Sequence, residues 1–149
     1  MGYSVKFEDE MKIAKAFGRN LRISPKHARE ICRELKDKKL SYAKKYLEEV
    51  IEMKRPVPFR RYRKKMGHKR IYKWDTGRYP VKASKRILKL LEEVEANAEY
   101  KGLDLDRLRI VHISAYKGLV IPGWIPRAYG RATEFNEYTT NIEVVVEEI

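Results

Sequence analysis

Between Lys54 and Lys73 the chain carries ten basic residues (54, 55, 60, 61, 63, 64, 65, 69, 70 and 73) and no acidic one. Phe59, Tyr62, Tyr72 and Trp74 are interleaved with them. The chemistry open to such a mixture is ionic and stacking. Guanidinium and ammonium groups release condensed counterions from a phosphate backbone, and aromatic rings lie on bases or sugars. Like charges this dense repel one another, so by pattern alone the segment does not settle into an ordered loop and is expected to order on structured RNA. Pro56, Pro58 and Gly67 block a helix there. Arg60, Arg61, Arg63, Lys64, Lys65, Lys69, Arg70 and Lys73 are the candidate phosphate contacts of this basic excursion, bounded at 54–81, with Arg78 near its end. The whole-chain balance agrees: 34 basic against 21 acidic residues, net +13, favours a polyanion and says nothing about fold.

Other chemistries find little support. His27, His68 and His112 share no ligand spacing, and no glycine-rich phosphate loop or nucleophile elbow is present. The one cysteine, Cys32, excludes a disulfide framework and falls where an inert core thiol would. Asp104 and Asp106 precede a strand, where aspartate serves local turn hydrogen bonds better than a metal. No catalytic residue, cofactor or metal is expected. The sequence shows neither a signal peptide nor an apolar run long enough for a membrane span, so a reducing cytoplasm is expected, without membrane insertion or homo-oligomer.

The elements that position these charges read as one domain over 1–149. Tyr3–Phe7 is a short strand or ordered tail, and Leu21-Arg22-Ile23 alternates as an edge strand. Ser24-Pro25 opens a helix, serine as cap and proline at the first helical position. Ala28, Ile31, Cys32 and Leu35 form its buried stripe, while Lys26, Arg29, Arg33, Lys36, Lys38 and Lys39 decorate the rest. A second helix, capped by Ser41, buries Ala43, Tyr46, Leu47, Val50 and Ile51 and stops before Pro56. A third runs from Lys82 or Ala83 to Lys101 with Ala83, Ile87, Leu90, Leu91, Val94 and Ala98 inward, and Gly102 ends it. Its charges are segregated: Lys82, Lys85, Arg86 and Lys89 first, then Glu92, Glu93, Glu95 and Glu99. That order opposes the helix dipole, so phosphates near the first half explain it better than local electrostatics.

Arg109 to Val146 reads as a long antiparallel hairpin whose limbs, Arg109–Ser114 and Thr139–Val146, are rich in β-branched residues. Ile142, Val144 and Val146 cover a core, with Glu143, Val145 and Glu147 toward water. Its middle, 113–138, is an arm. Limbs extended at roughly 3.3 Å per residue from Ile113 to Pro122 carry the tip about 30 Å from the sheet, too far for this body to cover. The tip is placed at Ile121-Pro122-Gly123-Trp124-Ile125-Pro126, a Pro-Gly turn with apolar neighbours that only a partner can bury. Lys117, Arg127 and Arg131 are its basic residues. Ala128, Gly130 and Ala132 leave little bulk between the arginines, so backbone can approach RNA closely.

Three separated stretches carry a resemblance: Leu21-Arg22-Ile23-Ser24-Pro25-Lys26-His27-Ala28-Arg29; Val94-Glu95-Ala96-Asn97-Ala98-Glu99 with Gly102-Leu103-Asp104; and Pro126-Arg127-Ala128-Tyr129-Gly130-Arg131-Ala132 ahead of Ile142–Val146. In this order they resemble the large-subunit ribosomal protein twenty-two family, in its archaeal and eukaryotic branch, from about Lys15 to Glu147. The resemblance implies an α+β fold: three helices on a small three-stranded antiparallel sheet with a long extended β-hairpin arm. It implies a structural protein, not an enzyme, seated on large-subunit ribosomal RNA beside neighbouring ribosomal proteins, its arm lining the tunnel of the nascent polypeptide. By motif match Arg22, Ser24, Pro25, Lys26 and Arg29 fall at the RNA-facing start of the first helix, and Arg127 and Arg131 on the returning limb. The excursion at 55–80 departs from the shorter bacterial pattern, as does the apolar tip. The competing reading is an extraribosomal structured-RNA-binding module without a tunnel role.

Overall fold

The computed structural model describes residues 3–7, 10–71 and 74–149. Tyr72 and Lys73, two residues singled out above, lie outside them. Strands β5 (Leu108–Ile121) and β8 (Glu137–Glu148) pair antiparallel from Leu108↔Glu148 to Ile121↔Glu137, and β1 (Ile13–Leu21) flanks β8 to give the order β1-β8-β5. The hairpin is as expected, but the edge strand begins eight residues earlier than Leu21-Arg22-Ile23. Its inward side chains are mainly small, Ala14, Ala16 and Gly18, which carry little hydrophobic signal. Of the stretch expected as strand only Leu21 belongs to β1, paired with Thr140 of β8; Arg22 and Ile23 form a bend in which Ile23 N–H donates to Leu21 O at 2.8 Å and Ile23 is buried.

Helices α1 (Pro25–Leu35), α2 (Leu40–Ile51) and α3 (Val81–Tyr100) supply the rest of the core, their stripes meeting Ala14, Ile110, Ile142, Val144 and Val146. Each fully buried Leu or Ile contributes roughly 1.5–3 kcal/mol relative to exposure. α2 starts before Ser41, which caps nothing. Leu40 is 1 % exposed and Lys39 bridges Arg109 at the β5 edge, so packing sets the start in place of a capping hydroxyl. Asp104 accepts from Asp106 N–H at 3.1 Å and caps a single 3₁₀ turn ahead of β5, the local role aspartate was given.

The far face of β8 is not toward water. Glu143 and Val145 are fully buried, and the N-terminal tail crosses the sheet at Glu143. Ser4 N–H donates to Glu143 Oε2 at 3.0 Å, the Ser4 hydroxyl donates to Oε1, and His112 Nε2 lies 2.9 Å from Oε1. Tyr3 packs edge-on against Phe17, ring centroids 6.2 Å apart. Burial alone would push the Glu143 carboxyl up, but the hydrogen bonds from Ser4 and His112 outweigh it and hold the group below its ordinary value of 4.5. A carboxylate lowered in the folded state stabilises above its unfolded pKa, and the contribution is lost as pH falls through the folded one. Protection of the Ser4 amide is therefore expected to persist at neutral pH and to disappear below the ordinary carboxylate range. Glu143→Gln should remove that acid dependence; hydrogen exchange at Ser4 across pH checks it, and protection that does not change with pH would refute it.

The basic excursion is folded. Short strands β2 (Val57–Pro58), β3 (His68–Ile71) and β4 (Trp74–Arg78) form a sheet in the order β2-β4-β3. Phe59 was expected on bases or sugars; it is fully buried, with His27 edge-on at 5.4 Å. Trp74 Nε1–H donates to Phe59 O at 3.0 Å. The segment settles because Glu30, 2 % exposed, accepts from the backbone N–H groups of Arg60 (3.2 Å), Arg61 (2.8 Å) and Tyr62 (2.9 Å). One carboxylate from α1 orients three successive amides, while the guanidinium of Arg61 stays at the surface.

Candidate nucleic-acid interface

Two helices begin at one crevice. α1 starts at Pro25 and α3 at Val81, neither with a capping side chain nor with an acid in its first turn, so their leading N–H groups and dipole ends favour an anion. The crevice, about 540 Å³, is lined by Arg22, Ser24, His27, Tyr79, Lys82 and Tyr138 among others. It thus unites three sequence candidates, Arg22, Ser24 and Lys82, from stretches sixty residues apart. Arg22 is held by Glu137, Nε–Oε1 3.3 Å. Burial, and next the charge of Arg78, lower the pKa of His27, which keeps the imidazole neutral and leaves the positive charge to its neighbours.

The remaining candidates are not gathered at this crevice: Arg29 and Arg61 line a second cleft, and Arg70 a third beside Glu48, Glu49 and Glu52 at the end of α2. Lys26 sits over the Tyr62 ring at 5.6 Å and Lys69 over Tyr79 at 5.6 Å. Arg60 reaches Glu34 at 3.5 Å. Arg63, Lys64, Lys65, Arg70, Lys85 and Arg86 are exposed without a described ion pair. In the second half of α3, Glu95 pairs with Lys44 of α2 at 2.6 Å.

The arm rises from a polar root. Thr139 Oγ1 donates to Leu119 O (2.7 Å), Asn20 Oδ1 accepts from Leu119 N–H (3.1 Å), and Asn141 Oδ1 accepts from Asn20 N–H (2.7 Å). A Cβ at Gly118 would stand 2.6 Å from Asn20 Oδ1 and 2.7 Å from Thr139 Oγ1, so a larger residue there would push these side chains out of the hydrogen bonds that join β1 to both limbs. Lys117 lies over the Tyr138 ring at 4.5 Å beside it. Beyond the root the limbs continue as β6 (Trp124–Pro126) and β7 (Ala132–Glu134), in register from Trp124↔Glu134 to Pro126↔Ala132.

The tip is not at Ile121–Pro126. That stretch belongs to the outgoing limb, where Gly123 and Phe135 exchange contact through Phe135 N–H and Gly123 O at 2.7 Å, and Pro122-Gly123 marks a break between β5 and β6. The chain reverses at 127–131, closed by Arg127 N–H to Arg131 O at 2.7 Å, with Tyr129 at φ 59° and Gly130 at φ 64°. Two consecutive left-handed residues make the turn, a conformation Pro122 cannot take. Arg127 and Arg131 therefore flank the tip itself instead of lying on the returning limb, and Arg127 Nε–H donates to Thr133 Oγ1 at 3.2 Å. Leu119 (62 %), Trp124 (67 %), Phe135 (70 %) and Tyr129 (94 %) are exposed along the arm. An apolar surface of this kind on a projecting hairpin marks a contact site.

A family model described as ribosomal protein L22p/L17e matches residues 16–147. The chain belongs to that family. Curated relatives of the L22p/L17e type carry the name large ribosomal subunit protein uL22. That of Methanopyrus kandleri is 59 % identical over 142 residues, covering 94 % of this chain and 89 % of the relative. That of Archaeoglobus fulgidus is 53 % identical over 148 residues, covering 99 % and 96 %. That of Methanocaldococcus jannaschii is 53 % identical over 147 residues, covering 98 % and 94 %.

For an L22p/L17e protein the geometry adds residues that the sequence reading left aside. Arg33 stands four residues after Arg29 on α1 and shares a cleft of about 640 Å³ with Arg29, Arg61 and the β5 residues Ile113, Ser114 and Ala115. The i, i+4 spacing was the available signal. Glu30 and the Asn20–Gly118–Thr139 root had none, because their partners lie far along the chain. Cys32 is buried and its thiol is pushed up to about 12 by burial, so it is unreactive.

Proposed function

We infer that this protein is a structural component of the large ribosomal subunit, which binds and organises large-subunit ribosomal RNA while its arm helps to line the exit tunnel of the nascent polypeptide. The family match over 16–147 carries this reading, and the arm gives it a physical basis. A hairpin with exposed Trp124, Tyr129 and Phe135 is at a disadvantage in water and finds burial between RNA and neighbouring ribosomal proteins. The protein works in the cytoplasm as part of that subunit and carries out no catalysis. Within it, the crevice of Arg22, Ser24 and Lys82, the excursion from Arg60 to Arg70 with Arg78, and Lys26, Arg29, Lys85 and Arg86 are assigned to RNA phosphates. Lys117, Arg127 and Arg131 are assigned to the arm's contacts, where shape counts for more than charge.

Deleting residues 122 to 136 and joining Ile121 to Glu137 by a two-residue turn tests the division between body and arm. These two residues are register partners and the polar root lies below them, so the sheet and helices are expected to survive. Subunits carrying the shortened chain should contain it at normal copy number and show altered chemical reactivity of tunnel RNA. Unchanged reactivity would mean that the arm does not insert. Exclusion of a folded shortened chain would show that the arm itself is needed for docking.

A further inference from the structure

β5 is an edge strand, and its outer edge is covered only at the start. There Ile110 N–H donates to Lys38 O at 2.9 Å and Ile110 O accepts from Asp37 N–H at 3.0 Å. Among the described residues nothing pairs with that edge from Ile113 to Ala115, and the cleft of about 640 Å³ runs alongside it. Arg29, Arg33 and Arg61 stand around this cleft, all exposed. Among the described residues no carboxylate pairs with the side chains of Arg29, Arg33 or Arg61, and the Arg61 guanidinium lies 5.8 Å from the Tyr62 ring centroid. The single acid in the lining, Glu30, is occupied by the three amides of 60–62. Resting on the ribosomal reading above, we propose that the open edge of β5 with Arg29, Arg33 and Arg61 is a slot for one RNA strand, held at its phosphates by the arginines and at its 2′-hydroxyls by the strand edge.

An unpaired strand edge presents alternating N–H and C=O groups, so its ligand must both accept and donate. Phosphate oxygens only accept; the ribose 2′-hydroxyl does both, which is also what separates RNA from DNA at a given site. Arg29 and Arg33, one turn apart on α1, have Cβ atoms about 5–6 Å apart, close to the step between successive phosphates along a strand, and guanidinium suits bidentate phosphate contact. An acidic extended segment of another protein would satisfy the edge equally well. RNA is favoured because three arginines line the cleft while its one acid, Glu30, is already bonded to backbone amides.

The test uses the full chain in assembled large subunits, with a benzophenone amino acid replacing Ala115. Irradiation is expected to yield an adduct to large-subunit RNA, and the mapped RNA fragment, resynthesised with 2′-deoxyribose at the adduct and its neighbours, should bind the unmodified full chain at least tenfold more weakly. The Arg29→Ala, Arg33→Ala double variant should weaken binding of the all-ribose fragment and respond less to the deoxy substitution. A protein adduct, no adduct in subunits that contain the chain, or indifference to the deoxy substitution would overturn the slot while leaving the ribosomal role standing. A folded full chain that never enters the subunit would instead overturn the role itself, and the slot with it.

Discussion

Replacing Arg60, Arg61, Arg63, Lys64 and Lys65 together by glutamine lowers the affinity for large-subunit RNA by roughly 100-fold near physiological salt and flattens the salt dependence by about 3 units, at about 0.7–0.9 unit per phosphate contact. The expected figure is below the full count of five, because Arg60 is drawn toward Glu34 at 3.5 Å and part of its charge is already answered within the chain. The fold is spared for a specific reason. Glu30 holds this segment through the backbone amides of Arg60, Arg61 and Tyr62, and glutamine leaves all three amides in place. Binding titrations at several salt concentrations, with hydrogen exchange to confirm the anchored loop, measure both quantities. An unchanged slope would show that these side chains are not at phosphates, whatever happens to the affinity at a single salt concentration.

Glu30→Ala acts on the same segment from the opposite side and is expected to cost about 3 kcal/mol, with opening of 57–66 ahead of global unfolding. Hydrogen bonds to a charged acceptor contribute about 1.5–3 kcal/mol each, and a buried donor left without its acceptor costs about 1–3 kcal/mol. Three donors are affected, but they are only partly buried and water replaces some of the loss, so the sum of individual values overstates the effect. Phe59 and Val57, both fully buried, retain part of the anchor. Urea denaturation should show a lowered midpoint, and exchange of the amides at 60–62 should accelerate. Glu34→Ala is the control, since its contact with Arg60 is long and solvent-screened and surface pairs contribute about 0–1 kcal/mol. A Glu30→Ala midpoint no lower than that of the control would mean that the excursion is held by its apolar residues alone. RNA affinity should also fall in Glu30→Ala although no cation is removed, because the cationic side chains then start from a disordered loop.

Local periodicity and charge were legible before any fold was known. The three helical stripes and the long hairpin follow from residues close together in the chain, and they hold in the fold. Tertiary structure alone decided where long-range partners override local pattern. The excursion looked unable to order itself because ten like charges are visible locally, whereas the carboxylate that fixes it stands thirty residues upstream on α1. β1 was hidden because alanine and glycine suffice under a packed helix and show no alternation. Glu143 looked solvated because the groups that bond it come from elsewhere in the chain, Ser4 from the N-terminal tail 139 residues away and His112 from the paired strand β5. At the arm the turn read from the sequence was Pro122-Gly123, whereas the chain reverses at Tyr129-Gly130. The registers of β5 with β8 and of β6 with β7 chose the second, since only that reversal lets both limbs keep their pairing to the tip.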